Sequence, residues 1–190
     1  MEYIYEAHDV VPKELCQEII EKFENDPGKF IGKIGEGVVN QNIKRSMDLW
    51  MHDDIDWKPL NDILERYLVL SMYTYFNYLR REIFNGNDFI VRQMFSENID
   101  VSGFQLQKYS TDDFFDWHVD DVIKDKRILA FIIYLNDNDS CTEFLNGKVC
   151  KPETGKILFF PATWTYTHRG QKIQRGTKYI ISGFIRECIF

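Results

Sequence analysis

Apolar positions follow a helical period in the first half of the chain and gather into short runs in the second. In PKELCQEIIEKFEN, residues 12 to 25, Leu15, Cys16, Ile19, Ile20 and Phe23 recur at helical spacing. One helix face is therefore apolar, and Pro12 sits near the first turn, where its missing N–H costs nothing. From Asp56 to about Phe84 the period returns through Leu60, Ile63, Leu64, Tyr67, Leu68, Ser71, Tyr75, Tyr78 and Leu79, closed by NGND. That predicts one long helix. Between the two, IGKIGEGVVNQNIKRS holds three glycines and little periodicity, which predicts a loop or ragged strand leading to a short strand around Ser46 to Met51.

Beyond residue 100, FQLQKY, RILAFIIYL, KILFFPA and KYIISGFI are β-branched or aromatic runs separated by Asp, Asn, Gly and Pro clusters. This is the pattern of an all-β sandwich or barrel. The expected architecture is mainly β with supporting helices (α+β), with N-terminal helical support over about 1–100 and a β-core over about 101–187. No repeat, low-complexity tract or linker interrupts it, so a single domain over 1–190 is expected.

Composition narrows the functional classes. Hydrophobic residues make up 44% and aromatics 15% of 190 residues, enough for a core without disulfide staples. Thirty acidic against 23 basic residues give a net charge of -7, which repels phosphate backbones and makes nucleic acid an unfavoured partner. Cys16, Cys141, Cys150 and Cys188 form no CxxC pair and read as reduced thiols. MEYIYEAHDVVPKE lacks the features of a signal peptide, and no run of 18 apolar residues occurs. A soluble, cytoplasmic protein without a membrane partner is therefore expected. Oligomeric state is left open.

Candidate chemistry begins at His118-Val119-Asp120. In an extended strand alternate side chains share a face, so this imidazole and carboxylate would point the same way. A third ligand is offered by His168, in TYTHRG after KILFFPA, at the end of another expected strand. Two His and one carboxylate form the facial set that leaves open positions on Fe(II). A closed structural zinc site fits less well, because the scattered cysteines lack the usual spacings. His52-Asp53-Asp54 also reads His-x-Asp, but a long helical segment follows it rather than strands.

Tyr109 precedes His118 by nine positions and Lys178 follows His168 by ten, with IIYLND, CTEF and KPETGKILFFPA between. This order resembles prolyl 4-hydroxylase-like 2-oxoglutarate/Fe(II)-dependent dioxygenases from about Phe104 to Arg186, and NIKRSMDLW resembles that family's earlier Arg-Ser strand. The resemblance implies a double-stranded β-helix (jelly roll, cupin-like). It also implies Fe(II) held by His118, Asp120 and His168, 2-oxoglutarate as co-substrate, and O2. Lys178 would pair with the distal carboxylate of 2-oxoglutarate, and Tyr109 and Tyr134 would be hydroxyl donors to it. A Lys inside the apolar run KYIISGFI needs a counter-charge, which a bound dicarboxylate supplies. Alternation puts Lys178, Ser182 and Phe184 on one face, so Ser182 is a further candidate for the co-substrate.

Ser140-Cys141-Thr142-Glu143 stands where the family has Gly-Gly-Glu-Thr, and Phe184 where it has Trp. Arg127 and Phe184 are candidates for the substrate entrance, as are Trp117 and Trp164. The acidic run Asp112 to Asp116 reads either as a lure for a basic substrate or as a solvated loop. The implied activity is hydroxylation of an unactivated C–H with release of succinate and CO2. Its substrate is open between peptidyl proline in a peptide or protein and a free amino acid or other small molecule. A non-catalytic cupin-like module that binds a metal or carboxylate is the alternative from another class. A nucleic-acid demethylase is disfavoured by the acidic charge and by Lys178 where that group has Arg.

Overall fold

The structure is a computed structural model that describes residues 3–35, 37–52, 54–95, 99–120 and 125–187. The chain opens with β1 (Tyr5–Ala7), α1 (Lys13–Asn25), β2 (Phe30–Ile31), β3 (Lys44–Arg45) and β4 (Met47–Trp50), then α2 (Lys58–Tyr78) and α3 (Asp88–Met94). It continues with β5 (Ile99–Val101), β6 (Gln105–Tyr109), β7 (Phe114–His118), β8 (Arg127–Tyr134) and β9 (Thr142–Phe144). Last come β10 (Val149–Cys150), β11 (Ile157–Pro161), β12 (His168–Gly170) and β13 (Lys178–Glu187). The larger sheet has the order β1-β11-β8-β13-β6-β4-β2, with β5 on β13, and the smaller has β10-β9-β12-β7-β3. Their described pairings are antiparallel.

β8, β11 and β13 read as nearly unbroken apolar runs because both of their faces are covered. Leu129, Phe131, Ile133, Ile157, Phe159 and Ile181 point outward into one core with the buried faces of α1 and α2. Their neighbours Ala130, Ile132, Tyr134, Leu158, Phe160 and Ile180 point inward into a second core, with Phe144 of β9. Tyr75 of α2 stacks on Phe159 of β11, with centroids 5.6 Å apart. Cys16, Ile19 and Phe23 are the buried stripe of α1, and Lys29 Nζ donates to the last-turn carbonyls of Phe23 and Glu24 at 2.8 Å.

The long helical period is divided in space. A 3-10 turn, Ile55–Trp57, precedes α2, capped by the Asp54 carboxylate, which accepts from the Asp56 N–H. A π-helical turn, Leu79–Ile83, follows it and buries both of its end residues. Asn85 and Gly86, at φ +50° and +84°, then end the run. The seven residues of α3 were too few to show a period in the sequence; Asn87 caps them by accepting from the Phe89 N–H at 3.1 Å.

The ragged stretch before β4 has a structural role. β3 pairs with β7 in the smaller sheet and β4 with β6 in the larger, so the chain changes sheets at Ser46. Gly32 packs against this crossing so closely that a Cβ there would overlap Ser46 Oγ. Cys16, Cys141 and Cys150 are free thiols, and Cys188 lies outside the described residues. Among the described residues no helix is long and apolar enough to cross a membrane.

Candidate active site

β7 and β12 are neighbours in the smaller sheet, and their register sets His118 opposite His168. His118 Nδ1 donates to the Asp116 carbonyl at 2.8 Å and His168 Nδ1 to the Tyr166 carbonyl at 3.0 Å. A carbonyl only accepts, so each ring carries its proton on Nδ1 and offers the Nε2 lone pair. Those two Nε2 atoms lie 3.9 Å and 3.7 Å from the oxygens of Asp120. One ligand atom from each residue falls within 4.8 Å of the others, the one such His/Cys/Asp/Glu grouping among the described residues. Phe115 stacks on His118 with centroids 3.6 Å apart, and Phe160 meets His168 edge-on at 4.7 Å, so aromatic packing also fixes the rings.

Two details differ from the sequence expectation. β7 ends at His118, so Asp120 lies just beyond the strand and is not placed by alternation within it. Its main-chain carbonyl accepts from Arg127 at 3.3 Å, which ties Asp120 to the start of β8. His168 is not at the end of the KILFFPA strand. It opens β12, after the short 3-10 turn Trp164–Tyr166.

Burial pushes the His118 imidazole well below its usual range, and the neighbouring His168 adds to this. Burial pushes the Asp120 carboxyl up, against the opposing pull of His168 and Arg127. Both shifts express the cost of charge in a dry site. A divalent cation would favour the ionised carboxylate and the neutral imidazoles together. Two imidazoles and a carboxylate with no thiolate suit non-haem Fe(II) with open positions, so the donor set fits the metal that the sequence implied.

The cluster borders a cavity of about 680 Å³ that Lys178, Ser182, Thr142, Arg127 and Phe184 also line. Lys178 is only 3% exposed. Its Nζ donates to the Ser140 carbonyl at 3.0 Å and sits 5.4 Å over the Tyr109 ring. No carboxylate among the described residues pairs with it, and burial pulls its pKa from the usual 10.5 to about 8. A buried ammonium with one carbonyl partner has donors to spare, and a carboxylate entering the cavity would engage them. The cavity therefore fits a dicarboxylate that also reaches the metal cluster.

Both tyrosine hydroxyls have partners within the protein. Tyr109 lines the cavity, but its hydroxyl donates to Gln107 Oε1 at 2.6 Å. Tyr134 is fully buried, is absent from the lining, and donates to Thr142 Oγ1 at 2.8 Å. Each spends its proton on a protein acceptor, Gln107 of β6 for Tyr109 and Thr142 of β9 for Tyr134. Thr142, with one lone pair occupied, keeps its own O–H for the cavity. Ser182 lines the cavity and accepts from Gln107 Nε2 at 2.9 Å. Arg127 stacks 3.8 Å over Phe184. Trp117 lines the cavity, whereas Trp164 lies outside the lining and is 70% exposed. The acidic run is held locally: Asp112 pairs with Lys172, and Asp113 and Asp116 accept from the Ser110 and Trp117 N–H groups.

Sequence reasoning missed Lys44, Asp48, Gln105 and Gln107. Lys44 Nζ donates to Asp48 Oδ2 at 2.7 Å with both residues at or below 2% exposure, and Lys44, Gln105 and Gln107 line the cavity. Alternation in KRSMD and QLQKY was legible, but polar residues every second position ordinarily mark the solvent face of a strand.

The sequence profile of the 2OG-Fe(II) oxygenase superfamily matches residues 104–186. No curated protein sequence matches the chain. Among solved structures, a viral collagen prolyl hydroxylase of Paramecium Bursaria Chlorella virus-1, in its 2OG complex, superposes with a TM-score of 0.67 at 16% identity, over 99% of this chain and 97% of that one. A Trichoplax adhaerens prolyl hydroxylase bound to a hypoxia inducible factor peptide fragment gives 0.70 at 12% identity, over 97% and 83%. A Pseudomonas putida prolyl-4-hydroxylase gives 0.66 at 13%, over 98% and 94%. The two antiparallel sheets thus form the jelly roll of these enzymes, and the cofactors are Fe(II), 2-oxoglutarate and O2. Residues 104–186 thus carry the sequence pattern of the 2OG-Fe(II) oxygenases, that of a 2-oxoglutarate/Fe(II)-dependent dioxygenase, and the chain is similar in fold to the prolyl hydroxylases.

Proposed function

We propose that the protein, as one domain over 1–190, hydroxylates an unactivated C–H of a prolyl residue in a peptide or protein. The balanced reaction takes R–H, 2-oxoglutarate and O2 to R–OH, succinate and CO2. The observation that carries this reading is the convergence of His118, Asp120 and His168 on one point of a cavity that also holds the unpaired Lys178 ammonium. Prolyl hydroxylation is favoured by the fold relatives, each named as a prolyl hydroxylase.

His118 and His168 would hold iron through Nε2 and Asp120 through a carboxylate oxygen. Bound iron supplies the O2 chemistry that the side chains lack. Lys178 Nζ would bind the distal carboxylate of 2-oxoglutarate, with Thr142 Oγ1 donating beside it and Ser182 donating to the other end. The Asp116 and Tyr166 carbonyls hold the imidazole tautomers, which keeps the ligand lone pairs aimed inward. Phe115, Phe160 and Ile180 keep the cavity apolar around the reacting centre and exclude water. Arg127 over Phe184 would orient the substrate at the entrance.

A free amino acid is the second reading, favoured by the polar Gln105 and Gln107 on the cavity wall. The test is succinate formed from 2-oxoglutarate by anaerobically purified, Fe(II)-loaded protein after O2 is admitted, for wild type and His168→Ala. Succinate that depends on iron and on His168 is expected, with stimulation by prolyl peptides. Stimulation by free amino acids alone would replace the peptide reading, and no succinate across both panels would leave a non-catalytic binding module.

A further inference from the structure

In the same cavity as His118, Asp120 and His168, a continuous chain of hydrogen bonds leads from a buried ion pair to the wall. Lys44 on the smaller sheet and Asp48 on the larger meet across the gap between them. Ser46 Oγ donates to the other Asp48 oxygen at 2.7 Å. Gln105 Nε2 donates to Asp48 Oδ2 at 3.2 Å, and Gln105 Oε1 accepts from Gln107 Nε2 at 3.0 Å. Gln107 Nε2 also donates to Ser182 Oγ at 2.9 Å, while Gln107 Oε1 accepts the Tyr109 hydroxyl proton at 2.6 Å.

The direction of this chain is determined at its origin. A carboxylate held by an ammonium and a hydroxyl only accepts, so Gln105 must turn its NH2 toward Asp48 and its oxygen toward Gln107. Gln107 must then present its NH2 to that oxygen, since the flipped amide would set two acceptors 3.0 Å apart. With the NH2 so placed, Gln107 donates to Ser182 and its oxygen is left for Tyr109. One carboxylate therefore orders two amides and two hydroxyls. At the cavity the consequence is specific: a Ser182 lone pair is occupied, so the Ser182 proton is free to donate to a ligand.

The geometry points to Asp48, Gln105 and Gln107 as positioning residues that hold the Ser182 hydroxyl as a fixed donor to the metal-end oxygens of 2-oxoglutarate. This rests on the co-substrate reading given above. Lys178 and Ser182 share one face of β13, four residues apart, which is on the order of 13 Å along the strand. If Lys178 takes the distal carboxylate, Ser182 lies on the side of the opposite end. Tyr109 ends the other branch of the chain, its proton committed to Gln107 and none left for the ligand.

Isothermal calorimetry of 2-oxoglutarate binding to the Fe(II)-loaded protein, kept anaerobic, tests this without turnover. Ser182→Ala and Gln107→Leu should each weaken binding by about fivefold, the scale of one neutral hydrogen bond. The double variant should bind no more weakly than Ser182→Ala alone, because Gln107 acts only through Ser182. Gln105→Leu gives the same test one link further back should Gln107→Leu melt early. Unchanged affinity in the single variants, or a Gln107→Leu loss that persists in full in the Ser182→Ala background, would overturn the relay alone. Wild-type protein that binds no 2-oxoglutarate would overturn the relay and the co-substrate reading together.

Discussion

The two walls of the cavity solve opposite electrostatic problems. On the smaller sheet and just past its strand β7, His118, Asp120 and His168 aim lone pairs at one point, and protein carbonyls satisfy only the far sides of the two rings. On the larger sheet, Asp48, Gln105 and Gln107 engage one another and Tyr109, leaving outward-facing donor capacity at Ser182 and Lys178. The acceptor-rich wall suits a cation and the donor-bearing wall an anion. A metal with a dicarboxylate would span both, and residues on two different sheets would then serve one reaction. Lys44 and Asp48 meet between the walls as a pair that is already neutralised.

The largest effect should come from the cation-seeking wall. Asp120→Ala or His168→Ala removes a ligand outright and should cost more than the roughly 10–100-fold typical of losing a group that only orients a metal ligand; iron content and succinate formation should fall together. Retained iron with full turnover would break the assignment.

Next comes the pair between the walls. Lys44→Met leaves Asp48 buried without its cation and should destabilise the fold by about 3–5 kcal/mol in urea unfolding. The double variant Lys44→Met/Asp48→Leu should recover most of that stability while still losing the direction of the relay. If the single variant is as stable as wild type, the pair is not the anchor drawn here.

On the anion-seeking wall, Lys178→Ala should raise the 2-oxoglutarate concentration for half-maximal rate by about 10–100-fold, the scale of a charge-assisted hydrogen bond. Turnover at saturation should change far less. An equal fall in both would place Lys178 in the chemistry rather than in binding.

The smallest effect is one of pH. With the Lys178 pKa near 8, half of the unliganded protein at that pH lacks the ammonium, so 2-oxoglutarate should bind about twofold more weakly than at pH 6.5. The weakening should steepen above pH 8 and vanish in Lys178→Ala. Tyr109 and Cys141 are the other titratable groups beside this ammonium. For stability the sign is opposite. A lysine whose folded pKa is depressed disfavours folding below about pH 8, and that penalty is relieved as pH rises from 8 toward its usual 10.5.

Much of this protein followed from local pattern. The spacing of Cys16, Ile19 and Phe23 made α1 legible, and the runs in β6, β8, β11 and β13 marked the core strands, because burial imposes a period that needs no knowledge of partners. His118, Asp120, His168 and Lys178 could be named from residue type and order. Tertiary structure alone decided how they meet. The pairing of β7 with β12 sets the two imidazoles opposite one another, the residues just past β7 supply Asp120, and the switch of sheets at Ser46 buries Lys44 against Asp48. Gln105 and Gln107 have the alternation of a solvent face and became a cavity wall only when a second sheet closed over them. Whether a polar stripe meets water or another side chain is a property of what packs across from it, and no local pattern carries that information.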